Sequence, residues 1–261
     1  MQLVDTHCHL EAEEFEGRLD SIVADARAAG VVKLVTASIT PDQWPVSRAI
    51  AARYPEVAFA WGIHPWYALE EHRAQVNGLR QAREAGAAAI GEIGLDAKVE
   101  SPPFAFQQEL FEAQLRIAKD LDLPVVIHCR GAFNQLFEIL KTVGAPGVGG
   151  MVHAFSGSVE LAEECLKHGL YLSMGGALSY RNSKKREKVL HRVYPDHLVL
   201  ETDSPDIPPV EVHGTTNVPA NIRYNLAGAA AMLGVPEEDI ATHTTRNAAR
   251  LFRFDIEGVG E

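Results

Sequence analysis

The chain has 261 residues, of which 46% are hydrophobic and 23% are charged, an ordinary composition for a globular protein. This length suits one barrel-sized domain, so we expect residues 1–261 to form a single domain. No apolar run approaches the roughly 18 residues of a transmembrane helix. The N-terminal sequence lacks a basic segment followed by an apolar one, so we expect a cytoplasmic protein. A formal net charge of −11 argues against general binding of nucleic acid, although it permits a local basic strip.

Short strand-like runs alternate with amphipathic helical stretches along the chain. The first helical stretch has one apolar face, which runs from Phe15 through Leu19 and Ile22 to Ala26, and Gly30 is a typical helix stop. The strand-like runs are mostly short and apolar, as is typical of parallel strands that are covered on both faces. The pattern therefore predicts an α/β protein.

Eight strands are predicted, at residues 2–5, 32–37, 57–61, 88–92, 124–128, 149–153, 170–174 and 198–202. Two last helices are predicted near residues 219–233 and 236–252. Eight β units separated by helices favour a (β/α)8 TIM barrel. A doubly wound α/β sheet is the alternative, because the seventh strand is weakly marked.

Ionisable residues fall at or just after the C-terminal ends of these predicted strands. They include five of the eleven histidines, one glutamate and one aspartate: His7, His9, His64, Glu92, His128, His153 and Asp203. In a parallel barrel all these strand ends meet at one mouth, where such folds keep their chemistry. Residues almost 200 positions apart are therefore expected to point into one cavity.

The sharpest local signal is the sequence His7-Cys8-His9. In an extended segment the two imidazoles leave one side and the thiol leaves the other. Two imidazoles on one side suit zinc or another borderline divalent metal. Two histidines in a polar turn would be the simpler interpretation, but His128 and His153 are expected at the same mouth.

His7, His9, Glu92, His128, His153 and Asp203 together exceed the needs of a four-coordinate site, so we expect two divalent ions, Zn, Mg or Mn. Glu92 is the candidate bridge, because a carboxylate offers two oxygens and would be costly to bury without a partner. One ion is expected on His7, His9 and Asp203, and the other on His128 and His153. Asp203 is also the candidate proton acceptor for the attacking water.

Three neighbouring residues are expected to have structural roles. We expect Glu201 to face away from Asp203 and to anchor the strand or a ligand. Cys8 and Cys129 each neighbour a ligand histidine in a strand, and therefore project away from the metals. Both are expected to pack in the core.

Substrate contacts are predicted beside the metals. His64 and Arg130 are candidate donors to a phosphate or to the transition state, although a salt bridge to a helix is an equally good interpretation of Arg130. Five cations follow the seventh strand, and they could follow a phosphate backbone or simply form a solvated helix face: Arg181, Lys184, Lys185, Arg186 and Lys188. Three aromatic residues could stack on bases: Trp66, Tyr67 and Tyr180.

Seven motifs in order resemble those of the TatD-related deoxyribonucleases, metal-dependent hydrolases of the amidohydrolase-like barrel superfamily. They span nearly the whole chain: DTHCHL at 5–10, GIHPW at 62–66, GEIGLD at 91–96, LPVVIHCR at 123–130, HAFSGS at 153–158, ETDSP at 201–205 and TTRNAARLF at 244–252. The resemblance implies divalent-metal-dependent hydrolysis, often of DNA from the 3′ end. The family's ligand positions match the six residues selected from the strand ends.

Three departures from the family pattern concern substrate contacts. An aromatic residue commonly follows GEIGLD in the family, whereas Ala97 and Lys98 follow it here. Gly131 stands where the family often has an acid. Thr216 precedes Asn217 where the family usually has a basic residue. The metal ligands are unchanged, so these differences bear on the nucleic-acid contacts.

The expected reaction is in-line attack on a phosphodiester by metal-activated water, with DNA or a smaller phosphodiester as the substrate. An amidase or lactonase, or a small-molecule phosphoesterase, is the alternative enzyme on the same barrel. A binding protein with structural metals is a third interpretation. It fits less well, because a structural site needs fewer ligands than this mouth provides.

Overall fold

Eight parallel strands, hydrogen-bonded in chain order, form a barrel in the computed structural model of the protein. The structure describes residues 1–180 and 183–258. The strands are β1 (Leu3–Cys8), β2 (Val31–Ala37), β3 (Val57–Trp61), β4 (Ala89–Asp96), β5 (Val125–Arg130), β6 (Gly150–Val152), β7 (Leu170–Met174) and β8 (Leu198–Leu200). The predicted (β/α)8 TIM barrel is confirmed.

Helices connect the strands and cover the outside of the barrel. Within the described ranges they are α1 (Leu19–Ala28), α2 (Trp44–Arg53), α3 (His72–Gln75), α4 (Ala82–Ala85), α5 (Phe104–Asp120), α6 (Phe133–Val143), α7 (Val159–Lys167), α8 (Lys184–Val193), α9 (Ile222–Leu233) and α10 (Glu237–Phe252). No helix in this part of the chain has the length and apolar character needed to cross a membrane.

Several boundaries differ from the predicted ones. β1 continues to Cys8 and β4 to Asp96, beyond the predicted ends at residues 5 and 92, so His7 lies inside a strand. Polar residues at these strand ends carry no apolar signal, yet pairing continues as far as Asp96 opposite Arg130. The predicted first helix is shorter, because Gly17 at φ 70° separates a single helical turn at Phe15 from α1.

The inside of the barrel is filled by small and β-branched side chains. Strand residues that point inward form one buried cluster: Val4, Val35, Ala37, Ala60, Ala89, Val126, Met151 and Val199. Leu251 and Phe252 of α10 join this cluster and close the N-terminal end of the barrel. Because this end is plugged, a ligand enters from the C-terminal mouth.

Side chains complete the junction between β1 and β8. Asp5 is fully buried, and its carboxylate accepts hydrogen bonds from the Thr202 backbone (2.9 Å) and hydroxyl (2.6 Å). The Thr6 hydroxyl donates to the Leu200 carbonyl at 2.9 Å. The backbone N–H of Asp203 donates to the His7 carbonyl at 2.9 Å. These contacts fix the first and last strand ends side by side at the mouth.

Candidate metal centre

The six predicted ligands converge at the mouth of the barrel. β1, β4 and β5 carry three of them, and the other three come within three residues after β1, β6 and β8: His7, Glu92, His128, His9, His153 and Asp203. Their donor atoms form overlapping groups within which all atoms lie within 4.8 Å of one another. His64 belongs to one of these groups as well.

Glu92 lies at the centre of the cluster, with its side chain 2% exposed. Its Oε2 is 3.4 Å from Nε2 of His7 and 3.6 Å from Nε2 of His9. Its Oε1 is 2.8 Å from Nε2 of His153 and 3.2 Å from Nδ1 of His128. The two oxygens of one carboxylate therefore face two different sets of nitrogen donors.

Asp203 adds a second carboxylate to the first of these sets. Its Oδ1 is 3.4 Å from Nε2 of His7 and 3.5 Å from Nε2 of His9. The strand has ended at Leu200, and the backbone of Asp203 takes a φ of 56°. This local turn allows the carboxylate to point into the mouth.

The outer ring nitrogens of two histidines are fixed by the protein. Nδ1 of His9 lies 2.8 Å from the Ala37 carbonyl, so it carries the proton. Nε2 of His128 lies 3.0 Å from Oδ2 of Asp96, so it donates to that carboxylate. The other nitrogen of each ring faces the centre. Burial opposes the charged form of His128, but hydrogen bonds to Asp96 and Glu92 raise its pKa to about 9, so a metal would displace a proton from its Nδ1 on binding.

His64 has the opposite arrangement. Its Nδ1 accepts a hydrogen bond of 3.1 Å from the backbone N–H of Trp66. Burial lowers the pKa of His64, so the ring is neutral and its single proton sits on Nε2. That Nε2 lies 3.2 Å from Oε1 of Glu92. His64 thus presents a hydrogen-bond donor to the centre and has no free lone pair there for a metal.

The carboxylates and His153 have the charge states that metal ligation needs. Burial alone would raise the pKa of Glu92, but the surrounding histidines, His153 first, hold it well below its usual range. Burial also opposes ionisation of Asp203, yet the imidazoles of His7 and His9, 3.4 and 3.5 Å away, keep its pKa below the ordinary value. Burial lowers the pKa of His153 to about 4, so its imidazole is neutral at pH 7.

Unsatisfied buried atoms show that a metal fits this centre. Both ring nitrogens of His7, and Nδ1 of His153, are buried and make no hydrogen bond within residues 1–180 and 183–258. Buried polar atoms without partners are uncommon because each is costly. A cation beside Nε2 of His7 would supply the missing partner and would screen the two carboxylates from each other.

Asp96, at the end of β4, supports the centre, and sequence reasoning does not predict it. Its carboxylate receives hydrogen bonds from Nε2 of His128, from the Trp66 indole (2.6 Å) and from Nε of Arg130 (2.8 Å). The alternative interpretation of Arg130, a salt bridge to a helix, is wrong, because its ion-pair partner is Asp96 of β4. The available signal was the alternation of Glu92, Gly94 and Asp96 along one strand.

Glu201 lies on the same side of the chain as Asp203, contrary to the predicted direction. Both residues line the cavity, because residues two apart in an extended segment share a side. Oε1 of Glu201 accepts a hydrogen bond of 2.6 Å from the backbone N–H of Ala154, directly after His153. The contact is therefore an anchoring one, as predicted, although the predicted direction is wrong.

The cysteines lie where packing was predicted. Cys8 is fully buried in the core between the strands and the helices. Cys129 is partly buried against the same core. Burial raises the pKa of the Cys129 thiol to about 12, so it is not a thiolate at neutral pH.

A cavity of about 1070 Å³ opens above the cluster. Trp66, Tyr67 and Arg130 line it on the side of β3 and β5. Lys185 and Arg186, at the start of α8, line it on the side of β7. β3 and β7 lie four strands apart in an eight-stranded barrel, so these two walls face each other across the mouth.

The predicted basic run divides between the cavity and the surface. Lys185 and Arg186 line the cavity, and Lys184 and Lys188 are exposed on α8. Arg181, the first cation of the run, lies outside the described residues. The aromatic residues predicted for stacking, Trp66, Tyr67 and Tyr180, all have exposed side chains.

Comparison with known proteins identifies the family. The family model described as TatD related DNase matches residues 4–253. The metal-dependent hydrolase YabD of Bacillus subtilis is 37% identical over 97% of this chain and 100% of its own length. A Klebsiella pneumoniae protein named 3′-5′ ssDNA/RNA exonuclease TatD is 31% identical over 98% of this chain and 100% of its own.

A solved structure agrees with these relatives. The TatD homologue YjjV of Escherichia coli superposes with a TM-score of 0.91 at 32% identity, covering 97% of this chain and 98% of that one. The predicted family, hydrolase class and metal dependence are confirmed. This chain belongs to the TatD-related DNase family and is a metal-dependent hydrolase.

Proposed function

We propose that the protein hydrolyses phosphodiester bonds at the 3′ end of single-stranded nucleic acid, with two divalent ions at the barrel mouth. The observation that carries the proposal is the position of the Glu92 carboxylate, whose two oxygens lie 2.8–3.6 Å from two different sets of histidine nitrogens. A bridging carboxylate between two ions would have this arrangement. The Klebsiella relative supports the choice of substrate through its name.

His7, His9 and Asp203 would hold one ion, and His128 and His153 the other, with Glu92 between them. A donor set rich in imidazole favours Zn or Mn over Mg, which prefers oxygen ligands. When bound, such ions polarise a phosphoryl oxygen and acidify a water molecule. The ionised carboxylates of Glu92 and Asp203 would balance their charge.

The protein's own groups would position the substrate and move the proton. Oδ1 of Asp203 faces His7 and His9, which leaves Oδ2 to accept the proton of the attacking water. Nε2–H of His64 is buried beside the centre and would donate to a phosphoryl oxygen as negative charge develops. Arg130 would bind the phosphate backbone from the cavity wall.

The shape and charge of the mouth favour a phosphodiester over an amide or a lactone. The cavity of about 1070 Å³ is larger than a small carbonyl substrate requires, and Arg130, Lys185 and Arg186 line it. An amidase or lactonase would need a small closed pocket without phosphate donors. Cations on both walls instead suit a polyanion.

The test compares substrates on protein stripped of metal and then reconstituted with Zn or Mn. A single-stranded oligonucleotide, the matching duplex, methyl 4-nitrophenyl phosphate and a lactone are assayed in parallel. We expect metal-dependent shortening of the single strand from its 3′ end and slower cleavage of the small diester. Turnover of the lactone alone would contradict the proposal. If the protein hydrolyses only the small diester, its substrate is a small phosphoester and the nucleic-acid proposal is wrong.

A further inference from the structure

One buried carboxylate connects the metal centre with the cavity wall. Asp96 has no exposed surface, and it accepts hydrogen bonds from four donors. Besides His128, these are the Trp66 indole at 2.6 Å, Nε of Arg130 at 2.8 Å and the backbone N–H of Lys98 at 2.8 Å. Four donors satisfy most of the lone pairs of a carboxylate, so each of these groups is held in one orientation.

Arg130 is anchored by only part of its guanidinium. Nε binds Asp96, and Cζ lies 5.4 Å from the ring centroid of Trp66. In the part of the chain that the structure describes, its two terminal nitrogens make no hydrogen bond, and the side chain is 51% exposed. The terminal nitrogens therefore remain free to bind a phosphate in two-pronged fashion from the cavity wall.

Trp66 presents an aromatic surface beside the same centre. Its indole N–H is fixed to Asp96, and its ring stands edge-on to His64 with centroids 5.1 Å apart. The residue nevertheless remains 44% exposed and lines the cavity. A large, half-exposed and immobilised ring suits stacking against a nucleobase.

We propose that Asp96 is a positioning residue which holds His128 towards the metals and holds Trp66 and Arg130 as a subsite for the nucleotide next to the scissile phosphate. The base would stack on Trp66, and its phosphate would bind the terminal nitrogens of Arg130. This inference rests on the proposed function. A small phosphodiester lacks the neighbouring nucleotide that this subsite would bind.

The first test separates the subsite from the reaction centre. Trp66→Ala and Arg130→Gln are assayed on a single-stranded oligonucleotide and on methyl 4-nitrophenyl phosphate, which carries no base. We expect each change to raise KM for the oligonucleotide about tenfold, which corresponds to about 1.4 kcal/mol. The rise for the small diester should be at least roughly fivefold smaller, because that substrate reaches only the centre. Arg116→Gln, an exposed arginine on α5, is the matched control.

The second test concerns Asp96 itself and includes metal binding without turnover. An amide at Asp96→Asn keeps one acceptor oxygen, so it cannot hold His128, Trp66 and Arg130 together. We expect zinc affinity, measured by competition with a chromophoric chelator, to fall about 10–100-fold. The KM effects of Asp96→Asn and Arg130→Gln should also be less than additive in the double variant, because both remove the same contact.

Trp66→Phe provides a milder change if Asp96→Asn does not fold. It removes the indole N–H and part of the ring but keeps an aromatic face, so KM for the oligonucleotide should rise about threefold, less than in Trp66→Ala. Equal effects of Trp66→Ala on the two substrates, or none on either, would overturn the subsite while leaving the proposed function intact. A wild-type protein that cleaves neither substrate would overturn both.

Discussion

His64 and His128 make a matched pair, because both rings lie 3.2 Å from the same oxygen of Glu92 and differ in the nitrogen they present. His64 presents a donor, since its other nitrogen accepts from the Trp66 backbone. His128 offers Nδ1 as a metal ligand, since its other nitrogen donates to Asp96. Replacing each by glutamine should therefore have different consequences.

His64→Gln should keep the metal content of the wild type while kcat for methyl 4-nitrophenyl phosphate falls about 100–1,000-fold. This range corresponds to the loss of one buried donor to the developing charge, about 2.7–4 kcal/mol. His128→Gln should lose about half of the bound metal, because the second ion would keep only His153 and Glu92 as ligands.

The assay is metal content by plasma emission after gel filtration, combined with turnover at saturating metal. Circular dichroism of both variants checks that the barrel is folded. If His64→Gln lost an ion and His128→Gln retained both, the assignment of protons to ring nitrogens would be wrong.

Three further predictions concern the proton acceptor, the basic wall and the ions. Asp203→Asn should keep the fold and most of the metal but lose turnover, and a wild-type rate would remove Asp203 from the chemistry. Neutralising Lys185 and Arg186, which line the cavity, should raise KM for an oligonucleotide and flatten the dependence of KM on salt. Neutralising Lys184 and Lys188 on the outer face of α8 should change neither quantity. Equal effects of the two pairs would contradict a role of the cavity cations in binding. Zinc at about 100 times its Kd should raise Tm by about 5–10 °C above that of the metal-free protein, and an unchanged Tm in calorimetry would contradict metal binding to the folded state.

The barrel and the convergence at its mouth could be predicted from the sequence, because both follow from periodicity. Apolar runs separated by helical patterns give parallel strands, and residues at their C-terminal ends must meet. His7 and Asp203 are almost 200 residues apart, yet Nε2 and Oδ1 lie 3.4 Å from each other. Strand order alone requires that proximity.

The supporting contacts could not be predicted in the same way, because they depend on where each strand stops. Asp96 lies in the extension of β4 beyond its apolar part, and the partner of Glu201 is the backbone N–H of Ala154, 47 residues away along the chain. The orientations of the His64 and His128 rings depend on single contacts, with the Trp66 backbone and with the Asp96 carboxylate. Such partners leave no periodic trace in the sequence.

The claim that two ions share Glu92 is tested most directly by titrating metal-free protein with Mn and following cleavage of methyl 4-nitrophenyl phosphate. The predicted result is no activity without metal and a rise that levels off at two ions per chain. In Glu92→Gln, maximal activity should fall at least about 1,000-fold, because the shared carboxylate is lost. Full activity in metal-free protein, or a plateau at one ion that Glu92→Gln leaves unchanged, would contradict it.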